Sequence, residues 1–401
     1  MRAAPRRAGV RGLLLAGLAC AAAAPAAAQI GPLAGYYLNV GGWSGVSPFG
    51  AGGASDFQRL RLMVSPAAGP LRLEVAYEQL LLYQQRPGAA FTALSPGAAP
   101  ASGDWLDLDW TLVARGDVQW RHRLDRLDVA LPAGPVEVRL GRQAVSWATT
   151  LLLTPADPFA PFDPSDPFRE YRSGVDAARV QVFPGPFSSV DLVVRPLRTP
   201  RGRSVTAAAR GKVTLGALDL SAWAGVAFGD PAAALGATGT VGGAAWRVEV
   251  AVREDTARAA VLRAALGLDR RWTVFGRDLY AAVEYQRDGF GAAGPADLAA
   301  VVASAPFQRG ELQVLGRDVA AAQLQYKLHP LVTAELLVLF DAGDGSAIVG
   351  PALSLSASNA LTVRAGAFFP AGDRTVRPLG AVGSEFGVAP RFAYVSLAAF
   401  F

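Results

Sequence analysis

The arginines and carboxylates of this chain offer the most chemistry, because they recur at every second position of short segments. Arg72, Glu74 and Glu78 alternate with Leu71, Leu73, Val75 and Tyr77, and Arg247, Glu249 and Arg253 with Trp246, Val248, Val250 and Val252. Successive side chains of an extended strand point to opposite faces, so such segments gather their charges on one face. Arg59, Arg61, Arg139, Arg179, Arg195, Arg263 and Arg364 share this placement, as do Glu137, Asp191, Glu284 and Glu335. One role for them is cross-strand ion pairing that stiffens a wall. Another is a basic ladder favouring anionic solutes, since rings of charge set the preference of a pore. Arginine exceeds acid only modestly, and the two roles are compatible.

The densest local motif is Gly141-Arg142-Gln143-Ala144-Val145-Ser146-Trp147, followed by a proline-rich run from Pro155 to Arg172. Val136, Val138 and Leu140 fall on the apolar face, and Glu137 and Arg139 on the polar one. Arg142 then falls on the apolar parity, so either Gly141 bulges or the strand ends there. The proline-rich run is neither strand nor helix, because each proline removes a donor and fixes φ. Its Asp-Pro pairs at 157, 163 and 166 read as rigid turns. Three aspartates invite a Ca²⁺ reading, but the prolines restrict their approach and the spacing is not that of a calcium loop. Catalysis finds little support: the two histidines, His122 and His329, belong to no motif, and no phosphate loop, dinucleotide fingerprint or metal cluster is present.

The elements that must position these residues are strands. The chain is 51% hydrophobic, yet beyond its first residues no apolar run is long enough for a membrane helix. Alternation explains both facts, because only every second residue need be apolar in a membrane barrel. Leu279, Ala281, Val283 and Tyr285 oppose Asp278, Tyr280, Ala282 and Glu284, and Ala320, Ala322, Leu324, Tyr326 and Leu328 oppose Ala321, Gln323, Gln325 and Lys327. Short turns at 65–70, 132–135, 184–186, 329–330 and 358–359 contrast with long Gly/Pro/Ala-rich segments at 84–104, 148–173, 287–315 and 370–389. A soluble sandwich would alternate too, but not with long connections all on one side. About eighteen strands are expected, starting near 34, 56, 71, 118, 136, 174, 187, 204, 216, 234, 245, 258, 277, 316, 331, 346, 360 and 390. Sixteen is the alternative if two segments near 204–241 are misread, and 105–131 reads as loop or as an added hairpin. Pro295 to Ala303 has the composition of a short helix within a long loop.

The two ends add to this reading. Arg2, Arg6, Arg7 and Arg11 precede Leu13 to Ala19, and Ala26-Ala27-Ala28 precedes Gln29, so residues 1–28 read as a signal peptide. Cys20 invites lipidation, but Gly17 stands where a large aliphatic residue is wanted. Cleavage after Ala28 leaves no cysteine. Removing the four leader arginines from 38 basic residues leaves 34 against 33 acids, so the charge does not argue for nucleic acid. Only Lys212 and Lys327 are lysines; guanidinium groups suit carboxylates and phosphates, although a base bias toward Arg codons explains the count more cheaply. In the last segment, Ala393, Val395, Leu397, Ala399 and Phe401 share an apolar face, with Tyr394 and Ser396 opposite.

This ending resembles bacterial outer-membrane β-barrels, in which a terminal aromatic closes the barrel and is read by the assembly machinery; Ala399 is smaller than the residue many members carry. Joined to the leader and the alternation, it makes the chain similar to barrels of the porin and alginate-export type. The resemblance implies an all-β, transmembrane, antiparallel up-and-down barrel over 29–401 in the bacterial outer membrane. It also implies passive passage or export of small polar, including anionic, solutes. The 148–173 segment resembles a constriction loop folded into the lumen, an outward loop being the alternative. On that reading Arg139, Arg142, Phe162, Asp163, Arg169, Arg172 and Arg179 line the pore, and Phe401 is the barrel-closing signal. The expected partners are outer-membrane lipid, the barrel-assembly machinery and polar or anionic solutes. No cofactor, metal or nucleic acid is expected, and a homo-oligomer is open. The rival reading is a closed structural or assembly barrel with a loop-plugged lumen.

Overall fold

The computed structural model describes residues 33–85, 103–159, 168, 170–199, 202–255, 259–376 and 381–401. Residues 1–28, expected to be a signal peptide, and Phe162, Asp163 and Arg169 lie outside them. The chain opens with β1 (Ala34–Ser44), β2 (Gly53–Val64), a two-residue β3 (Ala67–Ala68) and β4 (Leu71–Gln84). Then come β5 (Asp109–Arg115), the long β6 (Val118–Ala133), β7 (Val136–Gln143), β8 (Val175–Gly185), β9 (Ser188–Thr199) and β10 (Gly202–Leu215). The next five are β11 (Leu218–Ala227), β12 (Asp230–Val241), β13 (Ala244–Glu254), β14 (Ala260–Val274) and β15 (Arg277–Asp288). The last are β16 (Asp318–His329), β17 (Val332–Asp341), β18 (Ser346–Ser358), β19 (Leu361–Ala371) and β20 (Phe392–Phe400).

Each strand pairs antiparallel with its neighbours, and β20 returns to β1 in register from Tyr36 opposite Phe400 to Ser44 opposite Phe392. With β3 and β5 set aside, eighteen strands close the ring among the described residues, not sixteen. Closure leaves no free sheet edge around the ring, as hydrocarbon requires. Gly35 and Phe401 extend the seam, exchanging backbone bonds of 2.8 and 3.0 Å. Gly35 leaves room for the terminal ring, since a Cβ there would lie 2.8 Å from it.

The alternation is visible in exposure. Val190, Leu192 and Val194 of β9 are exposed while Asp191, Val193 and Arg195 between them are buried. In β20, Val395 and Leu397 are exposed and Tyr394, Ser396 and Ala398 buried. The outer wall thus presents an apolar belt, and the four long connections all lie at one end. Most expected strand starts fall within a few residues of the observed ones. The expectation of 234 for β12 misses by four residues, because the turn is Phe228-Gly229, both at positive φ (54° and 90°), and the strand resumes at Asp230.

The 105–131 region adds a hairpin. β6 extends past the end of β7, and β5 pairs with its upper half. The β7–β8 pair is short and leaves a notch that residues 103–108 fill. On one side Arg198 donates its backbone N–H to the Gly103 carbonyl at 3.0 Å; on the other, Leu124 donates to the Leu108 carbonyl at 2.9 Å.

Arginine at outward Leu324 should destabilise the barrel by about 2–4 kcal/mol near mid-depth, whereas arginine at the neighbouring inward Gln323 should be far better tolerated. Urea unfolding of both variants in lipid checks this. Ala251, inward by parity, is an unsuitable control because it is packed beneath the crossing segment and has no room for a larger side chain.

Candidate functional site in the lumen

The chain leaves the wall at the end of β7, and its described residues 144–159, 168 and 170–174 lie against the inner wall before β8 begins. A crossing segment has no ladder for its N–H groups, so the wall must supply acceptors. Glu249 of β13 takes the N–H groups of Thr149 (2.8 Å), Thr150 (3.3 Å) and Ala156 (3.1 Å). Glu284 of β15 takes those of Leu151, Leu152 and Leu153 at 2.6–2.8 Å. Thr154 donates to Gln313 Oε1 at 2.5 Å, and Gln313 Nε2 donates back to the Leu152 carbonyl.

The remaining contacts fasten the segment around the inner wall. The Trp147 indole N–H donates to Asp191 (3.0 Å), and Trp147, Phe159 and Trp223 pack together beside Val193 and Leu197. Arg195 donates to the Phe159 carbonyl (2.5 Å), and Arg59 to the Phe168 carbonyl (3.1 Å). Phe168 packs edge-on against Tyr394 across the closing seam. Tyr171 stacks on Tyr36 beneath the Arg61 guanidinium. Asp157 accepts from the Ser146 hydroxyl (2.6 Å) and the Phe159 N–H (3.1 Å), with Arg172 Nη1 at 3.5 Å; burial pushes its carboxyl above the ordinary range. Its oxygens are therefore engaged within the protein, and among the described residues no cluster suited to a metal is present.

Most inward arginines are neutralised. Arg61 binds Glu78 and Asp125, Arg139 binds Glu74, Asp128 and Glu137, and Arg179 grips Asp191 with both its Nε and Nη2. Arg247 pairs with Asp269, Arg253 with Glu311 and Asp230, Arg263 with Asp288, and Arg364 with Glu335. Cross-strand pairing therefore accounts for most of the expected ladder. Arg142 is a correction to its expected pore-lining place. Its ladder to β6 is unbulged, and it lies one residue from the end of β7, 3% exposed. It grips Asp176 (2.8 and 2.9 Å), touches Asp104 (3.1 Å) and donates to the Leu106 carbonyl (2.7 Å), so its charge is spent closing the notch.

Arg195 and Arg210, inward and close to the crossing segment, make no ion pair with any described residue. Arg195 donates to the Phe159 carbonyl, and Arg210 stands opposite Asp191 in the β9–β10 ladder, a carboxylate that Arg179 and Trp147 occupy. Sequence reading missed Arg210. Its parity was available, but its isolation is visible only once register shows who competes for Asp191.

A second carboxyl organises the long loops. Glu385, buried in the 372–391 connection, accepts the N–H groups of Leu315 (2.7 Å) and Gly316 (2.8 Å), tying it to the 289–317 connection. Burial first, and the charges of Asp341 and Asp344 next, push it up to about 8 although the two N–H bonds oppose them.

Among solved structures, the architecture is that of outer-membrane porins. No family model matches the chain, and no curated protein matches it. It is similar to Pseudomonas aeruginosa OpdK with vanillate, at 11% identity over 92% of this chain and 98% of that one, TM-score 0.53. It is similar also to a BenF-like porin from Pseudomonas fluorescens, at 10% identity over 92% and 97%, TM-score 0.53. A third likeness is to Escherichia coli Wzi, an outer membrane protein involved in group 1 capsule assembly and a carbohydrate-binding β-barrel, at 9% identity over 99% and 90%, TM-score 0.53. At these identities the likeness is one of fold.

Two predictions follow from the loop anchors. Glu284→Ala leaves three backbone donors without their acceptor, so protease cutting within 144–159 should rise while the barrel stays folded by heat-modifiability on a gel. The folded Glu385 carboxyl lies above its ordinary 4.5, so the stability it contributes is full below that value and is lost as pH rises through about 8. The Tm of the wild type should therefore fall between about pH 5 and pH 9, and Glu385→Gln should flatten that profile.

Proposed function

We propose that this chain is an outer-membrane channel for passive passage of small polar solutes, with anions favoured over cations. The observation that carries the reading is the crossing segment. Its backbone donors engage the carboxylates of Glu249 and Glu284 and keep them buried, while Arg195 and Arg210 beside it make no ion pair with any described residue. A narrow, low-dielectric passage focuses such a residual positive field and raises local anion concentration. The similar OpdK structure holds vanillate, an aromatic anion, which supports the same charge preference. Signal-directed export, insertion through the last strand by the assembly machinery and any homo-oligomeric state belong to the same reading.

The second reading, a closed structural or assembly barrel, draws on apolar packing inside the ring. Phe168, Phe386, Phe368, Phe392 and Tyr394 form one buried cluster with parts of two long connections, and Wzi offers a barrel of this fold that binds carbohydrate.

In planar bilayers the wild type should conduct with a reversal potential on the anion side, and vanillate should block the current. Arg195→Gln with Arg210→Gln should move the reversal potential toward cations. Deleting 157–168 should raise conductance. A protein silent before and after that deletion would be the closed barrel.

A further inference from the structure

On the outer face, at the long-loop end, Arg198 of β9 and Arg203 of β10 lie directly opposite each other in the ladder. Both are exposed, and neither makes an ion pair with any described residue. Like charges at facing positions repel, and that cost is not offset by a nearby acid. The indole of Trp105, on the segment that fills the notch, receives both guanidinium groups, with Arg198 at 4.7 Å and Arg203 at 5.4 Å from the ring centre. Cation–π contact orients the two groups without neutralising them. Along β9 the exposed Val190, Leu192 and Val194 mark the apolar belt, and Arg198 stands four residues above it, about 13 Å along the strand. That is headgroup depth, where aromatic girdles sit.

We propose that Trp105, Arg198 and Arg203 form a binding site for the phosphate of a lipid in the outer leaflet, a phosphorylated glycolipid of the lipid A kind. Two convergent guanidinium groups match phosphate oxygens by paired, charge-assisted hydrogen bonds. A bound phosphate relieves their mutual repulsion, and the acyl chains lie along the valines below. The outward aspect selects a lipid over a soluble ion, since the lumen is on the other face of the wall. The site is independent of what passes through the barrel. It pins the lipid beside the notch, where the wall is made of loop rather than strand.

The test uses the purified full chain in detergent, with diphosphoryl lipid A as probe and native mass spectrometry as readout. Arg198→Gln with Arg203→Gln should weaken lipid A binding by roughly tenfold or more. Arg270→Gln with Arg271→Gln, at the opposite end, should leave it unchanged. Dephosphorylated lipid A should bind wild type and the Arg198/Arg203 variant equally. Removing a like-charge pair should not impair assembly, and the single variants R198Q and R203Q replace the double one should it fail to fold. Equal binding of diphosphoryl lipid A by wild type and variant would overturn the proposal. So would its displacement by inorganic phosphate at the same concentration, which would mark a site for a soluble anion.

Discussion

Six backbone N–H groups of the lumen-crossing segment end on two wall carboxylates, Glu249 and Glu284, and much of the interior follows from that. Irregular chain inside a barrel carries donors that no ladder serves, and leaving them unpaired away from water costs about 1–3 kcal/mol each. A carboxylate can accept several N–H groups at once, and a negative acceptor strengthens each bond. The same bonds hold Glu249 at 1% exposure and Glu284 at 4% without an arginine partner. One arrangement therefore does two things. It fixes the path of the segment and covers two carboxylates from direct contact with a solute.

The excursion also weakens the wall, and the wall shows the repair. Because the chain departs at Gln143 and returns at Val175, the β7–β8 ladder stops while β6 and β9 continue. Such an opening would leave edge groups unpaired at membrane depth. Residues 103–108 patch it, and Arg142 binds the patch to β8 through Asp176. The preceding Gly141 is at φ 122°, a conformation side-chain-bearing residues rarely adopt, and a Cβ there would press on the β6 backbone. A glycine and an arginine that read as anomalies of parity are thus the hinge and bolt of the strand end.

The alternation of Val248, Val250 and Val252 against Glu249 and Arg253 was legible because hydrocarbon on one side and water or protein on the other impose period two. Connection lengths gave sidedness for the same reason. The Phe228-Gly229 turn was harder to read, because phenylalanine at φ 54° has no local signature; it is held by burial, by Thr206 Oγ1 on its N–H, and by Arg253 and Arg309 over its ring. The fate of each charge was less legible still. Arg139, Arg179 and Arg195 look alike as alternating arginines, yet the first two bind carboxylates and the third donates to a carbonyl. Only register and the path of the crossing segment distinguish them. The expected pore residues Phe162, Asp163 and Arg169 lie outside the described residues, so the crossing segment is defined by its two ends.

The contrast between the two faces of one strand carries this further. On the inner face of β9, Asp191 is engaged by Arg179 and Trp147, consistent with the expense of an unpaired charge away from bulk water. On the outer face, Arg198 faces another arginine and no acid. Two exposed like charges in bulk water would repel weakly, but at the edge of a hydrocarbon belt the lower dielectric strengthens the repulsion. A sequence under no other constraint relieves it with one acid in the facing position, as Asp288 does for Arg263 inside the barrel. That β9 and β10 leave the pair uncompensated, and turn an indole toward it, is the arrangement expected where the counter-charge arrives from the membrane.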